Sequence, residues 1–343
     1  MKEQKNLIKS SPLKKIFIKI CRKFGFEIID QSNFYVPTQE KNLDKNLSVP
    51  GKKSVIIPLG ETKITRSVKE LVVIFRSCTN VNMLTQNKKR LFERHKSEYT
   101  FRSLNSIIKS LNHSKMYFPN VKFKIILIDH DSKKDHLDKI KNQLNKSNIK
   151  NTIINLNIND FVNNIKKTNA KNENVTSNQI SNMSNIHKSL LEGKSQCEDL
   201  IYFVEDDYIH ELNAINEMLF TYERLCSQLN KELILCPTDY PYLYSNIDLT
   251  NIFLGLNKHW RKIDQSLCTF LTSKTILEKY WSQLVSMCQF EHYPFEQPLH
   301  EIYKVEYCIS PIPSLALHCT NVNSIFGISP NIDWKKLWDD NKV

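Results

Sequence analysis

Three consecutive carboxylates, Glu205, Asp206 and Asp207, close the run Asp199-Leu-Ile-Tyr-Phe-Val-Glu-Asp-Asp-Tyr208. The apolar residues before them have strand propensity, so the chain presents an acidic triplet at the mouth of a buried strand. Adjacent carboxylates repel one another, and such a cluster persists where a cation or cationic group neutralises it. The chemistry that fits is a divalent metal carrying a phosphorylated ligand. Metal coordination normally takes more than one protein ligand, and His318, after the apolar run Ile312–Leu317, is the natural partner for Asp207 and Glu205. Arg76 ends an earlier apolar run, where its planar fork of donors suits a diphosphate or a surface ion pair.

The elements that must position these groups alternate in type. Strand signals at 71–75, 123–129, 151–156 and 200–204 are separated by helical spacing at 98–111, 133–144 and 178–191. This β-α-β alternation predicts a mostly parallel sheet flanked by helices, with ligands at the carboxyl ends of the strands. Asp129, Asp131 and the acidic triplet all fall at such ends. Further on, the pattern predicts a helix over 214–229, strands at 232–236, 267–271 and 312–317, and a helix over 274–288. The polar piece 157–178 reads as an exposed loop.

The strand followed by Glu205-Asp206-Asp207 resembles the DxD-type motif of nucleotide-sugar glycosyltransferases with the GT-A fold. Arg76-Ser77-Cys78-Thr79-Asn80 after the first strand and Asp129-His130-Asp131-Ser132 after the second fall in the order of that family's landmarks. The second turn is similar to the D-x-G-S turn of family 2, with Asp131 where Gly is usual. The resemblance implies a GT-A-like α/β fold and a metal-dependent hexosyltransferase. The enzyme would move a sugar from a nucleotide-diphosphate donor to a glycan, lipid-linked or other hydroxyl acceptor, as in cell-envelope polysaccharide synthesis. It implies Asp207, Glu205 and His318 at the metal, Mn2+ or Mg2+, and Arg76, Asp129, Asp131, Glu205 and Asp206 around the nucleotide sugar. By itself Asp131 also reads as the cap of the following helix.

An inverting enzyme of this kind needs a base for the acceptor hydroxyl. Glu296 stands where the resemblance places that base, and Asp239 sits among tyrosines that suit a sugar. Tyr240, Tyr242 and Trp260 are candidates for a saccharide platform, with core packing as the alternative. A metal-dependent nucleotidyltransferase, or a non-catalytic scaffold on a degenerate transferase domain, would carry the same acidic strand end.

Composition narrows the field further. With six Gly there is neither GxGxxG nor GxxxxGK[ST], which removes the usual support for dinucleotide and P-loop binding. The nine Cys are scattered without CxxC spacing, which argues against a disulfide framework or structural zinc and suits a reducing, cytoplasmic setting. Residues 1 to 69 hold fifteen Lys/Arg against six Asp/Glu, so most of the net charge of +12 belongs to an N-terminal extension. That confinement argues against nucleic acid as a partner. Within the extension, residues 11–24 place Leu13, Phe17, Ile20 and Phe24 on one stripe of a basic amphipathic helix, suited to an anionic membrane surface or to docking on protein. Residues 31–69 read as a linker. The expected organisation is an extension over 1–67, a catalytic domain over 68–330 and a tail over 331–343.

Overall fold

The computed structural model describes residues 12–28, 49–57, 60–80, 90–245 and 249–343. Two compact units are distinguished, residues 1–48 with 56–61, and residues 49–55 with 62–343. The first contributes the helix α1 (Pro12–Lys23), at the predicted place. Within the expected linker the chain forms the short strands β1 (Ser54–Ile57) and β2 (Gly60–Lys63); Pro37 and Pro58 lie outside the described residues.

The second unit is α/β. In chain order it runs β3 (Glu70–Ser77), α2 (Lys96–Ser114), β4 (Lys122–Asp129), α3 (Lys134–Asn145), β5 (Lys150–Asn155), α4 (Asn159–Val162), α5 (Ser177–Gln196) and β6 (Leu200–Glu205). There follow β7 (Tyr208–His210), α6 (Ala214–Leu229), β8 (Ile234–Leu235), β9 (Ile252–Leu254), β10 (His259–Ile263), β11 (Phe270–Ser273), α7 (Lys274–Lys279), α8 (Trp281–Gln289), α9 (Gln297–Tyr303), β12 (Cys308–Ile312), β13 (Ala316–His318) and α10 (Trp334–Asp340).

A nine-stranded sheet orders these strands β5-β4-β3-β6-β11-β8-β12-β10-β9. From β5 to β6 every pairing is parallel. Beyond β6 the pairings are antiparallel except for β8 with β12, so that only β11 and β10 run against the other seven strands and the sheet is mostly parallel in strand direction, as expected. Strands β9, β10 and β12 carry weak signals broken by Lys, Pro and Ser, which the pattern of apolar runs passes over.

The period of two along β3 shows how the sheet is held. Leu71, Val73 and Phe75 face one layer with Phe101, Leu104 and Leu111 of α2 and Met218 of α6. Val72 and Ile74 face the opposite layer with Ile186 and Leu190 of α5 and Leu284 of α8. Burial on both faces is why β3 reads as an unbroken apolar run, each such side chain contributing about 1.5–3 kcal/mol. The expected helix over 274–288 is broken at Tyr280, whose backbone leaves the helical region at φ −107 and ψ 23. Within residues 331–343, α10 buries Trp338 against Phe92 and Tyr99 and under the Arg102 guanidinium.

Charged groups fasten the start of β3. Lys69 N–H donates to Asp199 at 2.6 Å, and Val68 N–H donates to Glu223 at 2.7 Å. Burial pushes the Glu223 carboxyl up to about 7, against the lowering effect of the Val68 N–H and Arg66. A carboxyl whose native pKa lies above its unfolded value favours the native state at low pH, and that contribution disappears as pH rises through about 7. Glu223→Gln keeps an acceptor for Val68 without a titrating proton. Its stability relative to the native sequence should therefore improve by up to about 3 kcal/mol between roughly pH 5 and pH 8, measured by urea unfolding of both proteins. Parallel pH profiles would show that Glu223 does not titrate in this window.

Candidate functional site

The parallel ladder sets the frame. Its registers place Ser77 beside Asp129 and Arg76 beside Glu205, so three strands end together at the carboxyl edge. The turn from β6 into β7 then sends the three carboxylates to three different partners. Glu205 Oε1 pairs with Arg76 Nη2 at 2.8 Å, and its Oε2 lies 3.4 Å from Thr269 Oγ1. Asp206 turns to α2, where it pairs with Lys96, accepts from Thr100 Oγ1 at 2.8 Å and takes the Cys78 N–H at 3.3 Å. Asp207 faces β13: its carboxylate accepts from Thr320 and lies 3.5 Å from His318 Nε2. Much of the repulsion within the triplet is thus relieved by the chain's own cations.

The pairing of β7 with β13 carries His318 to this place. His318 lies opposite Tyr208 in that antiparallel ladder, and its ring stacks on the Tyr208 ring at 4.6 Å between centroids. Its Nδ1 donates to the Phe326 carbonyl at 2.8 Å, which leaves Nε2 directed toward Asp207. Burial works against charge on both groups. The His318 ring, Lys96 and Thr320 outweigh it for Asp207 and hold that carboxylate below the usual range, while Asp207 outweighs it for His318 and raises the imidazole.

Among the described residues no three His, Cys, Asp or Glu side chains converge as a complete metal cage. Asp207 and His318 nonetheless fit a divalent cation in two respects. An oxygen and a nitrogen are presented 3.5 Å apart, and a carbonyl fixes the tautomer of the imidazole from behind. One or two protein ligands completed by phosphate oxygens and water is the usual mode for Mg2+. Glu205 and Asp206, engaged with Arg76 and Lys96, are differently placed.

Around Arg76 the structure gathers further polar side chains. Arg76 Nη1 donates to Asn182 Oδ1 at 3.1 Å. Glu296 Oε1 lies 4.0 Å from the Cys268 thiol, whose surroundings also include Glu205, Arg76 and Cys288. Burial pushes that thiol up, with Glu296 and Glu205 adding to the effect and Arg76 opposing it. Glu296 thus shares a neighbourhood with the Arg76–Glu205 pair. Two surface concavities of about 290 and 630 Å³ lie elsewhere, the larger at the amino-terminal edge of the parallel strands, and neither is lined by the acidic triplet.

Asp129 is buried and accepts from Ser77 Oγ and Ser132 Oγ, each at 2.6 Å, which ties the turn after β4 to the end of β3. Asp131 does not cap α3, whose cap position is Lys133. It adopts a left-handed backbone at φ 54 and accepts from Asn80 Nδ2 at 2.9 Å. This conformation is why Gly is usual at such a turn, and Asp is one of the few other residues that tolerate it.

The aromatic candidates are occupied in packing. Trp260 is fully buried, with Nε1 donating to Glu217 Oε1 at 3.1 Å. Glu217 also accepts from the N–H groups of Leu256, Asn257 and Lys258, and a Cβ on Gly255 would lie 2.1 Å from Glu217 Oε1, so only glycine allows this approach. Tyr240 is fully buried and bonds Tyr208 at 2.6 Å between hydroxyls; Tyr242 is buried and donates to the Gln265 carbonyl. Neither Trp260 nor Tyr240 has a ring face to offer a sugar, and Tyr240 instead forms part of the wall around His318. Asp239 is fully buried, 2.5 Å from Arg261 Nη2 and 2.5 Å from the Tyr244 hydroxyl.

Lys96, Thr100, Asn182, Thr269 and Thr320 complete the surroundings of the triplet, and nothing in their local sequence marks them. They reach it through α2, the residue just before β11 and the segment after β13, with Asn182 of α5 acting through Arg76.

No protein-family model matches the chain, and no curated protein matches it. Solved structures to which it is similar include inositol-1-phosphate CTP transferase from T. maritima, at 12% identity and a TM-score of 0.37 over 80% of this chain and 97% of that one. A UDP-glucose pyrophosphorylase complexed with UDP-glucose aligns at 8% identity and a TM-score of 0.37, over 74% and 93% of the two chains. The galactosyltransferase LgtC in complex with donor and acceptor sugar analogs aligns at 10% identity and a TM-score of 0.33, over 63% and 64%.

Proposed function

We propose that the chain is a metal-dependent glycosyltransferase that uses a nucleoside-diphosphate sugar. The observation that carries this reading is the Asp207–His318 pair at the carboxyl edge of the parallel strands, with Nε2 of the imidazole aimed at the carboxylate 3.5 Å away. A divalent cation held there would neutralise the departing diphosphate. Arg76, anchored between Glu205 and Asn182, would orient the same diphosphate. Asp129, Ser77 and Ser132 would shape the floor for the nucleoside.

The reaction joins an acceptor oxygen to the anomeric carbon as the bond from that carbon to the diphosphate breaks. The acceptor proton passes to a carboxylate, and Glu296, beside the Arg76–Glu205 pair, is the better placed of the two candidates. The acceptor is a glycan, a lipid-linked saccharide or another hydroxyl compound.

The test is to incubate the purified full chain with Mn2+ and a panel of nucleotide sugars. Slow release of a nucleoside diphosphate from one donor is expected, since water can replace the missing acceptor. The matching ligand should also raise the melting temperature in the presence of Mn2+, by mass action worth about 2.7 kcal/mol at a hundredfold excess over Kd. Release of pyrophosphate from a nucleoside triphosphate would instead identify a nucleotidyltransferase. Silence in both assays with every donor would remove the catalytic reading.

A further inference from the structure

Helix α1 is inverted relative to what a soluble amphipathic helix does with its apolar residues. At about 100° per residue, Leu13, Ile16, Phe17 and Ile20, with Phe24 just past the helix end, fall within an arc of roughly 100°. A helix of a soluble domain ordinarily packs that stripe against the core. Here Leu13 is 78% exposed, Phe17 57%, Ile20 50% and Phe24 73%, and no residue of the helix is buried. Ile18 and Cys21, which lie off the stripe, are the partly covered ones.

The charge pattern says what would cover the stripe. Lys14, Lys15, Lys19, Arg22 and Lys23 occupy the remaining arc, and no acidic residue lies within the helix. The nearest one, Glu27, pairs with Arg22 at 2.5 Å. Cations therefore flank both sides of an apolar stripe, and the surplus of nine basic residues over residues 1 to 69 extends beyond any single helix face. The cations nearest the stripe, Lys14 on one side and Lys19 and Lys23 on the other, are placed for their ammonium groups to reach anionic headgroups while the stripe lies in the acyl boundary. Among the described residues no helix is long and apolar enough to cross a membrane. Twelve residues span about 18 Å, a length suited to lying in the plane of the interface.

We propose that α1 docks this chain on an anionic lipid bilayer, with Leu13, Ile16, Phe17, Ile20 and Phe24 in the acyl–headgroup boundary and the lysines reaching outward to the headgroups. The inference is independent of the proposed catalysis, because its readout is lipid binding.

The experiment is sedimentation of the full chain with phosphatidylglycerol-containing vesicles and with phosphatidylcholine vesicles. The full chain should bind the anionic vesicles and be released severalfold by raising NaCl from about 0.1 to 0.5 M. F17S/I20S/F24S, on exposed positions, should lower the bound fraction at least about tenfold while the far-ultraviolet spectrum stays unchanged. K14E/K15E/K19E should lose the preference for anionic over neutral vesicles. Unchanged sedimentation of either triple variant would overturn the proposal. So would a full chain that self-associates without lipid and becomes monomeric on F17S/I20S/F24S, because a second copy would then be what covers the stripe.

Discussion

Asp207→Asn is expected to weaken Mn2+-dependent binding of a nucleoside diphosphate by at least about a hundredfold, or roughly 2.8 kcal/mol. The size follows from how the triplet is divided. Glu205 is committed to Arg76 and Asp206 to Lys96 and Thr100, so neither neighbour can take over at a cation held beside His318. Amidation also removes the charge that keeps the imidazole paired, without changing the shape of the side chain. His318→Ala should weaken the same binding less, by about tenfold, because phosphate oxygens and water can complete the coordination. Asp206→Asn provides the contrast. It should lower stability, since it leaves the Lys96 ammonium partly buried beside a neutral amide, yet change metal-dependent affinity little. Titration calorimetry with Mn2+ and a nucleoside diphosphate measures all three. If Asp207→Asn binds as the native sequence does, the Asp207–His318 pair is a structural ion pair and the cation site is elsewhere.

The residues of this site were legible to different degrees, for identifiable physical reasons. The acidic triplet and the strand before it are visible because both faces of β6 are buried, which produces an apolar run that ends sharply in charge. Arg76 and Asp129 stand out for the same reason, each lying at the end of such a run. How the triplet is divided is not local information. It depends on the register of β3 against β6, on α2 presenting Lys96, and on a three-residue strand, β7, too short to leave a pattern. That strand pairs with β13 and brings His318 to Asp207 across more than a hundred positions of sequence. Trp260 and Tyr240 misled for a related reason: an aromatic residue looks alike in sequence whether it serves a ligand or, as here, anchors strand β10 to Glu217 or a loop to Tyr208. Asp131 was legible as a turn residue, but its left-handed backbone, rather than a helix cap, is what the turn requires.

Asp239→Asn and Glu296→Gln are expected to fail in opposite ways. Asp239 has no exposed surface and balances the buried Arg261 guanidinium at 2.5 Å, with Tyr244 closing the group over the guanidinium at 4.4 Å from its ring centroid. Removing the charge leaves Arg261 buried without its counter-ion, a change that costs about 3–5 kcal/mol. The variant should therefore melt well below the native protein, with any loss of turnover following the loss of folded material. Glu296 is half-buried in the N-cap position of α9, where its side chain makes no capping hydrogen bond, and Gln has the same shape, so Glu296→Gln should keep stability within about 0.5 kcal/mol. If it is the base, turnover with a donor and acceptor falls by about a hundredfold or more while donor affinity holds, because the amide cannot take the acceptor proton. The two measurements, melting temperature and turnover at saturating donor, separate the roles without further structures. A folded Asp239→Asn that binds donor normally yet turns over a hundredfold more slowly would make Asp239 the base, and would require the Arg261 pair to open when substrate binds.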